Sequence, residues 1–312
     1  MRLANPIYDS VFKYLLSDPE VARLVITTII GREVLEIEPR NNEQIGRYSP
    51  VLSVYRLDFC ARIRLADGSS QLVLIEIQKA KLPDDIMRFR RYLGEQYANK
   101  ANVVREAQGD RLVSSPMPII SIYFLGHELA EIDAPVVHVR RDYYDAITGE
   151  LLKERAPFIE CLSHDSFVIQ IPRLHEEART PLEELLSLFD QHRVDPQNEH
   201  ELILVEAQVP KQFRAVARCL ERAGESSEVR QEMTLEDEFI ESVLNIERAA
   251  LARADKAEAE KKQAQAEKEQ AQAEKERAQA EKEHAQAQVH EALRRMLAAG
   301  MPEAEARRFL NL

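Results

Sequence analysis

One predicted hairpin constrains the fold more than any other part of the chain. Residues 54–65 alternate between apolar and polar side chains, with Phe59 on one face and Asp58 on the other. Such alternation predicts a β-strand with one buried side. Turn residues, "ADGSS", follow at 66–70, and residues 71–80 return as a strand apolar enough to be central in its sheet.

The second strand carries Glu76 and Gln78 where a buried strand usually continues with Val or Ile. If Leu65 pairs with Gln71 across a five-residue loop, Asp58 faces Gln78 and Glu76 is its diagonal neighbour. The three polar side chains then share one face, with the two carboxylates about 7 Å apart at the backbone. A register wrong by one residue would turn Asp58 away from Glu76.

Helices are predicted on both sides of this hairpin. Two precede it: the first is capped by Asp9 or Ser10, and the second has Pro19 in its first turn and Gly31 at its end. A third, amphipathic helix is predicted after Pro83.

Further strands are predicted downstream of the third helix, which extends to about residue 104. The apolar run at 117–126 predicts a buried strand, and a strand, a helix and a further strand suggest a crossover between parallel neighbours. The stretches "YDAITGELLKE" and "DSFVIQIPRL" predict strand and hairpin pieces that extend the same sheet. The expected fold class is therefore α/β, with a mixed sheet flanked by helices.

Length and composition indicate a globular protein with an extension. The chain has 312 residues, of which 45% are hydrophobic, enough for one or two domains. Its apolar runs are shorter than the ~18 residues that a membrane helix requires, and "MRLANPIYDS" lacks the apolar centre of a secretion signal. Three distant cysteines indicate neither a disulfide framework nor a zinc cluster. A cytoplasmic location without membrane contact is expected.

The net charge of −12 is unevenly distributed. Residues 1–111 carry 17 Lys and Arg against 15 Asp and Glu, residues 112–250 carry 13 against 27, and residues 251–312 carry 12 against 12. Acidity is thus concentrated in the middle of the chain. A polyanion such as DNA is not excluded, but it would have to be bound locally by the basic residues that follow the hairpin.

The C-terminal part is predicted to be helical. Residues 180–250 have apolar residues at helical spacing, and residues 259–286 contain four seven-residue repeats, from "AEKKQAQ" to "AEKEHAQ". Alanine is the only apolar residue in these repeats, so a solvated helical spacer is favoured over a dimer zipper. Residues 289–312 regain larger apolar side chains, and "GMP" separates two short helices, predicting a small helical module.

Asp58, Glu76 and Gln78 also indicate what reaction this face of the sheet could catalyse. A buried carboxylate pair persists only if something positive neutralises it, and a hard cation such as Mg²⁺ or Mn²⁺ would do so. An ion there could polarise a phosphodiester and activate water, which makes phosphodiester hydrolysis the natural reaction. The alternative is that Arg56, Arg62 or a neighbouring helix pairs with the carboxylates and that nothing is catalysed.

Several stretches in order resemble the recombination-promoting nuclease and transposase family of the PD-(D/E)XK nuclease superfamily. They are "DSVFKYLL" at 9–16, "YRLDFCARI" at 55–63, "LVLIEIQ" at 72–78, "RFRRYLGEQY" at 88–97, "PIISIYFL" at 118–125 and the terminal "ALRRMLAAGMPEAEARRFLNL". The resemblance covers residues 5–178 and returns at the C-terminus. It is loose over 180–250, and it implies a restriction-endonuclease-like core at 1–178. Composition and spacing add an acidic helical region at 179–250, a repeat helix at 251–288 and a C-terminal module at 289–312.

The same resemblance implies Mg²⁺-dependent cleavage of DNA. Asp58 and Glu76 would be metal ligands, with the Ile77 carbonyl as a third. Gln78 lies where the wider superfamily has Lys; an amide can orient water but cannot act as a cation.

Contacts with the DNA backbone are predicted after the active-site strand. The candidates are Lys79, Lys81, Arg88, Arg91 and Tyr97, although Lys79 points to the opposite face of a regular strand. The competing hypothesis is an inactive nuclease-fold protein that binds DNA or partners through its helical C-terminus. A homo-oligomer formed by that helix is a further expectation.

Overall fold

The fold is mixed α/β with a long C-terminal helix. A computed structural model of the chain describes residues 1–40, 56–80, 86–108, 111–174 and 179–312. The helices are α1 (Asp9–Ser17), α2 (Pro19–Ile30), α3 (Ile86–Ala98), α4 (Pro157–Glu160), α5 (Pro181–Leu186), α6 (Arg214–Glu225), α7 (Ser227–Ala298) and α8 (Glu303–Phe309). The strands are β1 (Arg2–Ala4), β2 (Val34–Arg40), β3 (Arg56–Arg64), β4 (Ser70–Ala80), β5 (Val103–Gln108), β6 (Arg111–Pro116), β7 (Ile119–Leu125), β8 (Val136–Val139), β9 (Tyr143–Tyr144), β10 (Leu151–Leu152), β11 (Asp165–Gln170), β12 (Val194–Asp195) and β13 (Asn198–Ile203).

The central sheet contains the predicted hairpin and the predicted crossover. Its strand order is β2-β3-β4-β7-β11-β8. Strand β4 pairs antiparallel with β3 and parallel with β7, and β7 pairs parallel with β11. The path from β4 through α3 to β7 is therefore a crossover between parallel neighbours, as the sequence predicts.

One face of this sheet forms the main core. Phe59, Ala61 and Ile63 of β3 are at most 1% exposed, which confirms the alternation predicted for that strand. The ring of Phe124 lies 4.9 Å from that of Phe12 in α1 and 5.6 Å from that of Phe189. The sheet, the N-terminal helices and the region after residue 180 thus share one hydrophobic core.

A second, three-stranded sheet was not anticipated. Its order is β1-β13-β12, and β1 pairs antiparallel with β13. The expectation of helix throughout 180–250 is therefore wrong where β12 and β13 lie. By backbone contacts the chain divides into two compact units, Met1–Ile240 and Glu241–Leu312, so residue 178, the predicted end of the nuclease core, lies within the first unit.

The caps of the first two helices differ in how well the sequence predicts them. At α2 the prediction is confirmed, because Pro19 is in the first turn and Gly31 ends the helix with a φ of 65°. At α1 it is wrong, because neither Asp9 nor Ser10 caps the helix with its side chain. Their backbone N–H groups donate instead to the carboxylate of Glu236, at 2.7 and 2.8 Å. That partner is too distant in sequence for any local pattern to reveal.

Two segments depart from the predicted elements of the central region. The helix after Pro83 ends at Ala98, and residues 103–108 belong to β5, which pairs only with β6 in the described chain. Strands β9 and β10 form a separate two-stranded sheet, whereas β11 joins the central sheet as predicted.

The repeat lies within α7, which is one continuous helix from Ser227 to Ala298. From residue 251 to residue 288 every side chain is exposed, and glutamine amides donate to glutamates four residues later. These pairs are Gln263–Glu267, Gln265–Glu269, Gln272–Glu276 and Gln279–Glu283, at 2.8–3.3 Å. The predicted break follows at Gly300, where φ is 87°. Among the described residues, no helix is both long and apolar enough to span a bilayer.

A peptide of residues 251–288 is expected to be helical and monomeric. Its alanine-rich sequence exceeds the about 15 residues below which isolated helices are marginal, and it lacks an apolar seam. Circular dichroism should give the same helicity at 10 and at 500 µM peptide. A rise in helicity with concentration would instead favour the dimer zipper.

Candidate functional site

Asp58 and Glu76 lie directly opposite each other on β3 and β4. The predicted register, with Leu65 opposite Gln71, is wrong by two residues. The N–H of Leu65 donates to Ser69 at 2.8 Å, and Gly68, with a φ of 83°, closes a three-residue loop. Because the error is even, both acids still share a face.

The pairing also brings these two acids close together. Since Leu65 is hydrogen-bonded to its partner, the alternate pairs of the ladder, including Asp58 with Glu76, are the non-hydrogen-bonded ones. In such pairs the Cα atoms are about 4.5 Å apart and the side chains are at their closest. The two carboxylates are therefore nearer to each other than the predicted diagonal arrangement allows.

Both acids are buried among amide groups. Asp58 is 3% exposed, and Glu76 and Gln78 are 0% exposed. Gln78 Nε2 donates to Glu76 Oε1 at 2.5 Å, and Gln96 Nε2 donates to Asp58 Oδ2 at 2.5 Å. The predicted site residues are thus brought together, and each carboxylate accepts a hydrogen bond from a side-chain amide.

Strand β7 adds polar residues beside this pair. Ser121 is the neighbour of Glu76, and Tyr123 is the neighbour of Gln78. Burial raises the pKa of Tyr123, and the nearby charge of Glu76 raises it further. The ring of Phe89 from α3 lies 5.0 Å from that of Tyr123 and covers this side of the sheet.

Tyr97 lies at the outer margin of the site. Its hydroxyl is 2.9 Å from His164 Nδ1, and its side chain is partly exposed. Burial raises the pKa of Tyr97 to about 12, and the charge of Glu76 contributes to the increase. Burial also lowers the pKa of His164. A tyrosine that stays protonated and reaches the surface can donate a hydrogen bond to a phosphate.

The predicted DNA contacts fall in different places. Arg91 is exposed on α3, and Arg88 lies in the same helix. Lys81 lies outside the described residues. Lys79 is 2% exposed on the opposite face, because successive strand residues alternate. Its Nζ pairs with Asp9 at 2.6 Å, so this placement does not support its predicted contact with DNA.

The donor set suits a hard divalent cation. In the described part of the chain, no cluster of three or more His, Cys, Asp and Glu side chains converges on one point, so further ligands for an ion at Asp58 and Glu76 would be neutral oxygens. The Oε1 atom of Gln78 is buried and has no hydrogen-bond partner among the described residues. The Ile77 carbonyl faces β3 within the ladder and keeps a second lone pair. Carboxylates, carbonyls and water are the ligands that Mg²⁺ and Mn²⁺ prefer.

Sequence reasoning missed four residues around the acids. Gln96 and Asn102 come from α3 and the turn after it, and Ser121 and Tyr123 come from β7. One signal was present, because Gln96 is an amide in the apolar stripe of an amphipathic helix. No local pattern pointed to Asn102, whose contacts depend on where α3 packs.

Comparisons with protein-family models, with curated proteins and with solved structures found no match for this chain.

Proposed function

We propose that the first unit is a metal-dependent DNA endonuclease of the recombination-promoting, transposase-like type, built on a restriction-endonuclease-like core. One observation carries the proposal: Asp58 and Glu76 are directly opposed, buried and on the same sheet face as Gln78. Two carboxylates so placed favour a bound cation, since like charges opposite one another are otherwise destabilising.

Each residue of the site has a separate proposed role. Asp58, Glu76 and the Ile77 carbonyl would hold Mg²⁺ or Mn²⁺. When bound, the ion polarises a phosphodiester and lowers the pKa of water. Gln78 holds the Glu76 carboxylate through its Nε2, and its Oε1 accepts a hydrogen bond from the attacking water. Gln78 brings no positive charge, so charge developing on the phosphate must be met elsewhere.

Helix α3 supplies the proposed contacts to the DNA backbone. Arg91 is exposed, and Arg88 lies one turn earlier. Tyr97 reaches the surface near enough to Glu76 for the charge of that carboxylate to raise its pKa, and Lys81 follows the end of β4 in sequence. Basic residues of this kind fix the position of DNA without reading its sequence.

Removal of the Asp58 carboxylate tests the proposal. The wild-type chain is expected to bind Mn²⁺ in isothermal titration calorimetry and to nick plasmid DNA when Mg²⁺ is present. Asp58→Ala should lower the affinity for Mn²⁺ and the rate of nicking by at least about a hundredfold each, because metal ions contribute several kcal/mol to such reactions. Glu36→Ala, which removes an exposed acid from the neighbouring strand, is the matched control and should change neither.

Two outcomes would contradict the proposal. Equal cleavage by wild type and Asp58→Ala would show that the activity does not belong to this site. Absence of Mn²⁺ binding, together with partner binding that is lost when residues 251–312 are removed, would favour the non-enzymatic interaction protein.

A further inference from the structure

A chain of four polar side chains ends at Asp58. Arg40 Nη1 donates to Asn102 Oδ1, and Asn102 Nδ2 donates to Gln96 Oε1 at 2.7 Å. Gln96 Nε2 then donates to Asp58 Oδ2 at 2.5 Å. The four residues come from β2, the turn after α3, α3 itself and β3, so the chain connects separate elements to one carboxylate.

The direction of every hydrogen bond follows from the guanidinium. Arg40 has only donors, so Asn102 must present its oxygen to it. The Asn102 amide group is then left to face Gln96, which must accept through its own oxygen. Gln96 is consequently oriented with its Nε2 toward Asp58. Neither amide can flip without losing a hydrogen bond at both of its ends.

Burial makes this arrangement rigid. Gln96 is 2% exposed and Asn102 is 6% exposed, so a broken hydrogen bond would leave a polar atom without water. Asn102 Nδ2 also donates to the main-chain oxygen of Gln96 at 3.0 Å. The main-chain carbonyl of Asn102 accepts from the N–H of Met117 at 3.0 Å. Both amides are therefore held from the side chain and from the backbone.

We infer that Gln96 and Asn102 are positioning residues for the proposed metal ligand Asp58. Gln96 holds the Asp58 carboxylate in one rotation and stabilises its negative charge, and Asn102 with Arg40 holds Gln96. Partners that orient a ligand in this way typically change metal affinity 10- to 100-fold when they are removed. The inference rests on the proposed function, because it assigns these residues to the same site.

Mn²⁺ affinity of the full chain tests this inference. Gln96→Met keeps the length of the side chain but removes the donor, and it is expected to weaken Mn²⁺ binding in isothermal titration calorimetry by about tenfold or more. Gln170→Met is the matched control. Gln170 is also a fully buried amide of the central region, and it donates to Ile132 and Ala134. Gln170→Met should lower the melting temperature and leave the affinity for Mn²⁺ unchanged.

Two further variants separate positioning from general destabilisation. In an Asp58→Ala background, Gln96→Met should cause no additional loss of affinity, because it acts only through Asp58. Asn102→Ala, in the turn after α3, keeps the inference testable if Gln96→Met does not fold, and it should also weaken Mn²⁺ binding, because it leaves Gln96 Oε1 without its donor.

The outcomes distinguish the two proposals. If the wild type binds Mn²⁺ and Gln96→Met binds it equally well, or if Gln170→Met weakens binding as much, the positioning role is wrong and the metal site stands. If the wild type binds no Mn²⁺, both proposals are wrong.

Discussion

Glu76→Gln is expected to abolish Mg²⁺-dependent DNA cleavage while making the metal-free protein more stable. The variant keeps the shape of the side chain and the oxygen that accepts from Gln78, but it removes one of two buried, directly opposed negative charges. Loss of a metal ligand should lower cleavage by at least about a hundredfold. Relief of the repulsion by about 1 kcal/mol would raise the melting temperature by about 2–4 °C.

Thermal unfolding in EDTA and in 10 mM MgCl₂ provides the measurement. The wild type should be stabilised by Mg²⁺, since an ion that binds only the folded state adds to stability, and Glu76→Gln should not respond. Glu36→Gln, on an exposed acid, should behave as wild type in both buffers. A lower melting temperature for Glu76→Gln in EDTA, without any effect of Mg²⁺ on wild type, would mean that the carboxylate has a structural role.

Lys79→Met is expected to lower the free energy of unfolding by about 3 kcal/mol. Lys79 Nζ is buried, pairs with Asp9 at 2.6 Å and donates to the carbonyl of Ile7. Methionine preserves the apolar stem but leaves the mostly buried Asp9 carboxylate without this cation. Urea denaturation followed by circular dichroism measures the loss.

The double variant Lys79→Met/Asp9→Asn should recover most of this stability, because the uncompensated charge is removed. Lys153→Met, at an exposed position, is the control and should change little. DNA affinity of the folded Lys79→Met protein should equal that of wild type. Loss of DNA binding without loss of stability would instead show that Lys79 contacts DNA.

The hairpin of β3 and β4 shows which features of the site the sequence predicts and which it does not. The period of two in side-chain direction places Glu76 and Gln78 on one face of β4, and the assumption of a loop with an odd number of residues added Asp58 of β3 to that face. The register was not predictable from the same pattern. It depends on the left-handed conformation of Gly68, which shortens the loop to three residues.

The other features that the sequence did not predict depend on contacts between residues far apart in the chain. The cap of α1 comes from Glu236, and β1 pairs with a strand about two hundred residues later, so no window of sequence contains both partners. Gln96 could be placed on the buried side of α3 by its spacing. Its role toward Asp58 required knowing that α3 packs against β3 and that Asn102 follows.

The pairing of β1 with β13 has a consequence for biosynthesis. During synthesis Arg2–Ala4 leaves the ribosome about two hundred residues before Asn198–Ile203, so this strand must wait for its partner before its edge is satisfied. Non-local topologies of this kind fold slowly and expose apolar surface meanwhile. A fragment ending at residue 178 would lack Phe189 and Leu202, both 0% exposed, and is expected to aggregate during expression.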